Sequence, residues 1–240
     1  MTEPILKKVD AWWTVLLIDP LAMGLTRLVR TWSAVTPMRM TVLAHLLGVA
    51  CAALFARGHL VAAAVLFEVR FVLDCADGKL ARVRGTSSAA GAYVDYVGDY
   101  LVVALNATAL AWYLHWADGL PLLGALGFPV AFLAHIVAGQ ARDIEAQAAG
   151  IGRRGGADAG GRYVRWMAAR RLRPLPSRVD AEHVSLFVAP VLAVVLDRPG
   201  ILLAVVWVNA AYFAYRAARM GVAGYLIAVQ RDRDRPGGSG

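Results

Sequence analysis

The sequence predicts an all-α, polytopic membrane protein: six transmembrane helices preceded by an interfacial amphipathic helix. Three observations predict it. The 240 residues are 59% hydrophobic and only 18% charged, against about 45–50% and about 25% in soluble domains. The mean hydropathy is +0.54. The apolar residues also gather in runs near the length of about 20 residues that a bilayer demands.

Those runs extend roughly over Pro37–Ala56, His59–Leu80, Ala89–His115, Leu120–Gln147, Glu182–Leu196 and Ile201–Ala228. The fifth is the shortest. Ahead of them, Asp19–Trp32 places Leu21, Leu25 and Leu28 on one helical face and Arg27 and Arg30 on another, the pattern of a helix lying in the membrane interface. Trp12, Trp13 and Trp32 are expected to act as headgroup-level anchors. No cleavable signal peptide is visible near the N-terminus. The expected organisation is an N-terminal cytoplasmic segment with the interfacial helix (1–36), a six-span domain (37–230) and a disordered tail (231–240). No internal repeat is apparent.

Basic residues set the orientation. Lys7, Lys8, Arg27, Arg30, Arg39, Lys79, Arg82, Arg84, Arg216, Arg219 and Arg231 fall on one side, together with the segment Gly150–Arg178; little beyond Arg57 and Arg198 falls on the other. Both termini are therefore expected in the cytoplasm of a multi-pass cell-membrane protein. The Gly- and Arg-rich segment Gly150–Arg178 is too polar to span and reads as a mobile basic loop, serving either topology or substrate handling. The net charge of +8 follows from these flanks, so a nucleic-acid partner is not expected. Cys51 and Cys75 lie within apolar runs and read as small buried hydrophobes.

Four aspartates interrupt the apolar pattern: Asp74 and Asp77 near the end of the second run, Asp95 and Asp99 near the start of the third. An ionisable group at membrane depth costs about 2.5–3.5 kcal/mol on insertion scales, which marks function. Asp74 and Asp77 share a helix face, and Gly91, Asp95 and Asp99 stack on another. The connection near Arg84–Ser88 is short, so the two helices are antiparallel neighbours and their carboxylates converge. Four such groups cannot all stay ionised without a cation. Hard oxygen donors with no His or Cys among them suit Mg²⁺ or Mn²⁺ rather than zinc, and a metal so held is a seat for a diphosphate. The plainer alternatives are a structural ion network or an ion pathway. Gly78, Ala81, Gly85 and Gly91 either let helices pack closely or admit a nucleotide.

The run Asp74-Cys-Ala-Asp77-Gly78-Lys-Leu-Ala81-Arg82, followed by Gly91, Asp95 and Asp99, fits D-x2-D-G-x2-A-R-x8-G-x3-D-x3-D at every fixed position. In this it resembles the CDP-alcohol phosphotransferase family. The resemblance implies a homodimeric membrane enzyme with a cytoplasm-facing cavity. Asp74, Asp77 and Asp95 would hold one or two divalent ions, and Asp99 would complete that site. Gly78, Ala81, Arg82 and Gly91, with Asp74, would surround the cytidine and its diphosphate, and Asp99 would be the general base. It further implies CDP-diacylglycerol as donor, a hydroxyl acceptor, CMP release and a place in phospholipid synthesis.

The acceptor is less legible. Phosphatidylinositol-phosphate synthases of this family hold a phosphorylated acceptor with basic residues in the later spans. Here Gln140-Ala-Arg142 and Asp180-Ala-Glu182-His183 occupy those regions, with Arg142, Arg216 and the basic loop as substitutes; His183 reads first as a helix-end residue. Two other readings compete. Intramembrane prenyltransferases also use aspartate-rich helices and Mg²⁺, but their two motifs lie far apart. A cation transporter would spread acidic groups along a pathway, whereas the later runs hold few beyond Asp143 and Glu145.

Overall fold

The computed structural model describes residues 5–151 and 161–233. Among them the structure is helical, with one isolated bridge between Asp10 and Leu172 in place of any sheet. A π-helical turn, Thr14–Ile18, runs into α1 (Asp19–Val29). The long elements α2 (Pro37–Ala56), α3 (Leu60–Arg84) and α4 (Ala89–Ala117) follow. A short α5 (Leu122–Ala125) leads to α6 (Gly127–Ala148), α7 (Arg162–Ala169) and α8 (Arg178–His183). A second π turn, Val184–Val188, joins α8 to α9 (Ala189–Val195), and α10 (Pro199–Arg233) completes the chain.

Helices α2, α4 and α10 are each long and apolar enough to cross a membrane. Leu43, Leu46 and Val49 on α2, Leu101 and Leu105 on α4, and Val208 and Val222 on α10 all face outward. Such an apolar exterior is sustainable only where the surrounding solvent is lipid. The chain is a multi-pass helical membrane protein.

Helix ends are set locally. Thr36 is extended and its hydroxyl accepts the Arg39 N–H at 3.2 Å, with Pro37 opening α2. At the other end of the hairpin Gly85, at φ 65°, closes α3 in the left-handed conformation that favours glycine. Three residues later the Ser88 hydroxyl accepts the Gly91 N–H at 3.0 Å and starts α4. The tight turn makes α3 and α4 successive helices, but the two are not the direct packing neighbours that the short connection implies: each packs on α2, which bridges them.

Helix α3 is central, touching α1, α2 and α9, while α2 also packs on α4, and α6 pairs with α10. Between α2 and α4 the approach is close: a Cβ on Gly48 would sit 2.5 Å from Val102. Asn106 spans the seam, donating to the carbonyls of Gly48 (3.0 Å) and Val102 (2.8 Å), an interhelical bond worth roughly 0.6–2 kcal/mol in a membrane. The main core joins Phe55, Phe67, Leu114, Phe132 and Phe213; a second cluster beneath α1 joins Ile18, Ala22, Val29, Phe71 and Leu80.

Several expectations change. Helix α1 turns Ala22, Thr26 and Val29 toward α3, and leaves Leu21 and Leu28 exposed. The expected leucine face is divided, since Leu25 packs on the cluster beneath α1 while Leu21 and Leu28 stay outside. Trp13 is no headgroup anchor: it stacks on His183 at 5.3 Å and donates to Glu68 at 3.0 Å. Cys51 is buried and Cys75 half-buried, both free. Residues 161–178 of the basic segment are not a loose loop, since they contain α7 and dock on the N-terminal strap. Asp10 N–H donates to the Arg171 carbonyl at 2.8 Å, and Trp12 Nε1 to that of Arg173 at 2.7 Å. Residues 152–160 of that segment lie outside the described residues. Helix α10 runs on to Arg233, into the segment expected as a tail, and 234–240 also lie outside the described residues.

Candidate active site

Two of the cavities among the described residues bear on the site. The smaller, about 690 Å³, sits where the C-terminal part of α3 meets the N-termini of α2 and α4. Asp77, Gly78, Ala81, Arg82, Gly91 and Asp95 line it, six of the eight signature residues. The α2 end contributes Thr36, Pro37, Met38 and Thr41, and the α4 end Ser88 and Ala89. Two helix N-termini facing one cavity present positive partial charge and unsatisfied N–H groups, a setting for an anion.

The two arginines in the wall differ in role. Arg84 is committed to the backbone, donating to the carbonyls of Val29, Arg30, Trp32 and Val35 at 2.5–3.1 Å. It thereby fixes the turn that delivers the α2 N-cap. Arg82 makes one such bond, from Nε to the Ile5 carbonyl at 2.9 Å, and its outer nitrogens lie over Gly78. Nothing but that flexible guanidinium lies near a Cβ built on Gly78, so glycine there leaves the cavity wall open.

The remaining signature residues, Asp74 and Asp99, lie off the cavity wall. Arg70, 1% exposed, stands between them. Its Nη2 donates to Asp99 Oδ1 at 3.1 Å, and its Nη1 lies 3.8 Å from Asp74 Oδ1. Arg178 from α8 approaches the other Asp99 oxygen at 3.7 Å and pairs with Glu182 at 2.7 Å. Asp77 and Asp95 thus line the cavity while Asp74 and Asp99 flank Arg70, and Asp95 lies near enough to Asp99 and Arg70 for their charges to reach it. Asp74 is near enough to the other three for their charges to act on it. Among the described residues no three acidic side chains form a ready-made metal cage.

Asp77 accepts a hydrogen bond from the Thr41 hydroxyl. Asp74 Oδ1 and Asp95 Oδ1 are buried without a hydrogen-bond partner. One turn beyond Thr41, His45 packs so closely on Gly98 that a Cβ there would overlap its imidazole. Sequence reasoning missed Arg70, Thr41, His45 and Arg178. Only Arg70 left a signal: a charge in mid-span, one turn ahead of Asp74.

The residues considered for an acceptor are mostly engaged elsewhere. Gln140 donates to the Tyr96 hydroxyl. Glu182 is held by Arg178, and the buried His183 bonds Glu68 at 2.6 Å. The larger cavity, about 1000 Å³, is bounded by the Trp12–Leu17 strap, α8 and α10; Arg142, Arg216 and Arg219 stand in its wall. Arg142 pairs with Asp143 at 2.5 Å. Among the described residues neither Arg216 nor Arg219 has a carboxylate partner; each lies over a tyrosine, Tyr212 or Tyr215.

Together these features define a helical membrane protein with an acidic helix pair bordering an anion-attracting cavity. The chain belongs to the CDP-alcohol phosphatidyltransferase family, whose model matches residues 34–153. It is an enzyme of the CDP-alcohol phosphotransferase type. No curated protein sequence matches it significantly. Its fold is similar to that of Mycobacterium tuberculosis phosphatidylinositol phosphate synthase. The form with CDP-DAG bound gives a TM-score of 0.58 at 21% identity over 87% of this chain and 94% of that one. The form with manganese and citrate gives 0.57 at 22% identity, over 87% and 89%. The apo form gives 0.55 at 22% identity, over 88% and 95%.

Proposed function

We propose that this enzyme moves the phosphatidyl group of CDP-diacylglycerol to a hydroxyl acceptor, with release of CMP, in phospholipid synthesis. The observation that carries the reading is the smaller cavity, where six signature residues meet two helix N-termini. In this reading Gly78, Ala81, Arg82 and Gly91 receive the cytidine and diphosphate, and Arg82 offers a planar guanidinium to phosphate oxygens.

The donor set suits a divalent ion. It consists of carboxylate and hydroxyl oxygens, and includes a buried Asp95 oxygen without a hydrogen-bond partner. Asp77 and Asp95 would hold the ion from the cavity wall, with Asp74 and Asp99 behind them; Mg²⁺ or Mn²⁺ fits such hard ligands. When bound, the ion neutralises the diphosphate and the charge growing on the departing phosphate. Asp99 takes the proton of the acceptor hydroxyl as its oxygen bonds to the phosphorus that carries the lipid. The bond from that phosphorus to the CMP oxygen breaks, and CMP leaves. An ordinary carboxylate is a weak base, so Asp99 acts through positioning, with Arg70 and Arg178 fixing its two oxygens.

For the acceptor, Arg216 and Arg219 favour a polyol phosphate over a neutral polyol, since both stand on the larger cavity as cations without a carboxylate partner among the described residues. Six membrane crossings, cytoplasmic termini and a homodimer complete the reading, supported by the basic flanks and the family's habits. Purified protein incubated with CDP-diacylglycerol, Mn²⁺ and a panel of polyols, polyol phosphates and amino alcohols should release CMP with one acceptor class. Cation flux in liposomes without CMP release from any acceptor would refute the proposal.

A further inference from the structure

We infer that Arg70 replaces a metal ion inside the acidic cluster, so that the enzyme seats a single divalent cation per chain, at Asp77 and Asp95. The inference rests on the proposed metal-dependent transfer and sharpens it.

Four clustered carboxylates carry four negative charges, which two divalent cations would balance. Here one pair already has a cation. Arg70 is fully enclosed, bonds Asp99 Oδ1 at 3.1 Å and faces Asp74 Oδ1 at 3.8 Å. Its Nε and Nη1 are buried and make no hydrogen bond, so the group has no anchor apart from these carboxylates. Phe67 and Phe71 wall it in, their ring centres 5.1 and 5.8 Å from the guanidinium carbon. A guanidinium so confined cannot swing to solvent to make room for an ion. Arg178, 3.7 Å from the second Asp99 oxygen, adds positive charge on the far side. A divalent ion between Asp74 and Asp99 would therefore meet like charge at close range.

The other pair is different. Among the described residues neither Asp77 nor Asp95 forms an ion pair, and both line the cavity. Two carboxylates completed by substrate phosphate oxygens are a usual seat for a magnesium-sized ion, which seldom occupies an all-protein cage.

The test is metal stoichiometry of the purified full chain with Mn²⁺ and CDP, by equilibrium dialysis and atomic absorption, alongside its electron paramagnetic resonance spectrum. One Mn²⁺ per chain with an uncoupled six-line spectrum is expected, and Asp95→Asn should lose it. Two per chain with a spin-coupled spectrum would overturn the inference while leaving the transfer reaction standing. No bound Mn²⁺ at all would defeat both. Arg70→Leu should admit a second, coupled ion and Arg70→Lys should return the count to one. A folded Arg70→Leu protein that still binds one ion would also overturn the assignment, and the wild-type count decides the matter if that variant does not fold.

Discussion

Lys79 Nζ lies 2.9 Å from Asp19 Oδ1, with both side chains buried. This pair ties α1 to α3 within two residues of Asp77, and Arg171 closes on the other Asp19 oxygen at 2.7 Å. One carboxylate thus joins α1, the signature helix α3 and the basic segment.

Burial alone would raise the Asp19 carboxyl, but hydrogen bonds and charge from Lys79 and Arg171 outweigh it and hold the group below its ordinary value. A depressed carboxyl contributes stability that is fully present above the unfolded value of about 3.9. That contribution is lost as pH falls through the lower folded value. Thermal unfolding of wild type should show this acid-side loss. Asp19→Asn should flatten it and, at neutral pH, cost about 3–5 kcal/mol by leaving Lys79 buried without its partner. Equal stability of the two proteins at neutral pH would contradict the role.

Asp99→Asn removes the proposed base while keeping size and shape. The rate of CMP release should fall by about 10²–10⁴-fold, the usual scale of general-base catalysis, with CDP-diacylglycerol binding retained. Lost binding with intact turnover would contradict the assignment.

Two glycines should respond oppositely to alanine. At Gly78 a Cβ meets only the Arg82 side chain, 3.6 Å away, so Gly78→Ala should leave the melting temperature unchanged and raise KM for the donor by narrowing the cavity. At Gly98 a Cβ would overlap the His45 ring; overpacking of this kind costs about 1–3 kcal/mol. Gly98→Ala should therefore lower the melting temperature and separate α2 from α4. Calorimetry beside donor titration distinguishes the two.

Arg216 and Arg219 should act on the acceptor alone. A hydrogen bond to a charged group contributes about 1.5–3 kcal/mol, so Arg216→Gln or Arg219→Gln should raise KM for a phosphorylated acceptor roughly ten- to hundred-fold. KM for CDP-diacylglycerol should stay constant. A change in donor KM instead would move these arginines to the donor side.

Much of this was legible in the chain itself. The span expected over Pro37–Ala56 is α2, and the short connection after Arg84 is the Gly85–Ser88 turn. Apolar run length, a left-handed glycine and a serine cap act within a few residues, so sequence carries them directly. The contact of Trp13 with Glu68 and the docking of Asp10 beside Leu172 left no such trace. Nor did the divergent fates of Arg82 and Arg84, two residues apart, one turned to a cavity and the other to four carbonyls.

What the amino-acid order determined alone was the lipid-facing composition, the short turn between α3 and α4, and an acidic signature with fixed spacing, because helical periodicity and membrane cost are local properties. Tertiary structure decided how those four carboxylates divide. Arg70 is on the same helix as Asp74, but Asp99 and Arg178 arrive from other elements, and only packing brings opposite charges from distant parts of a chain within a few ångströms.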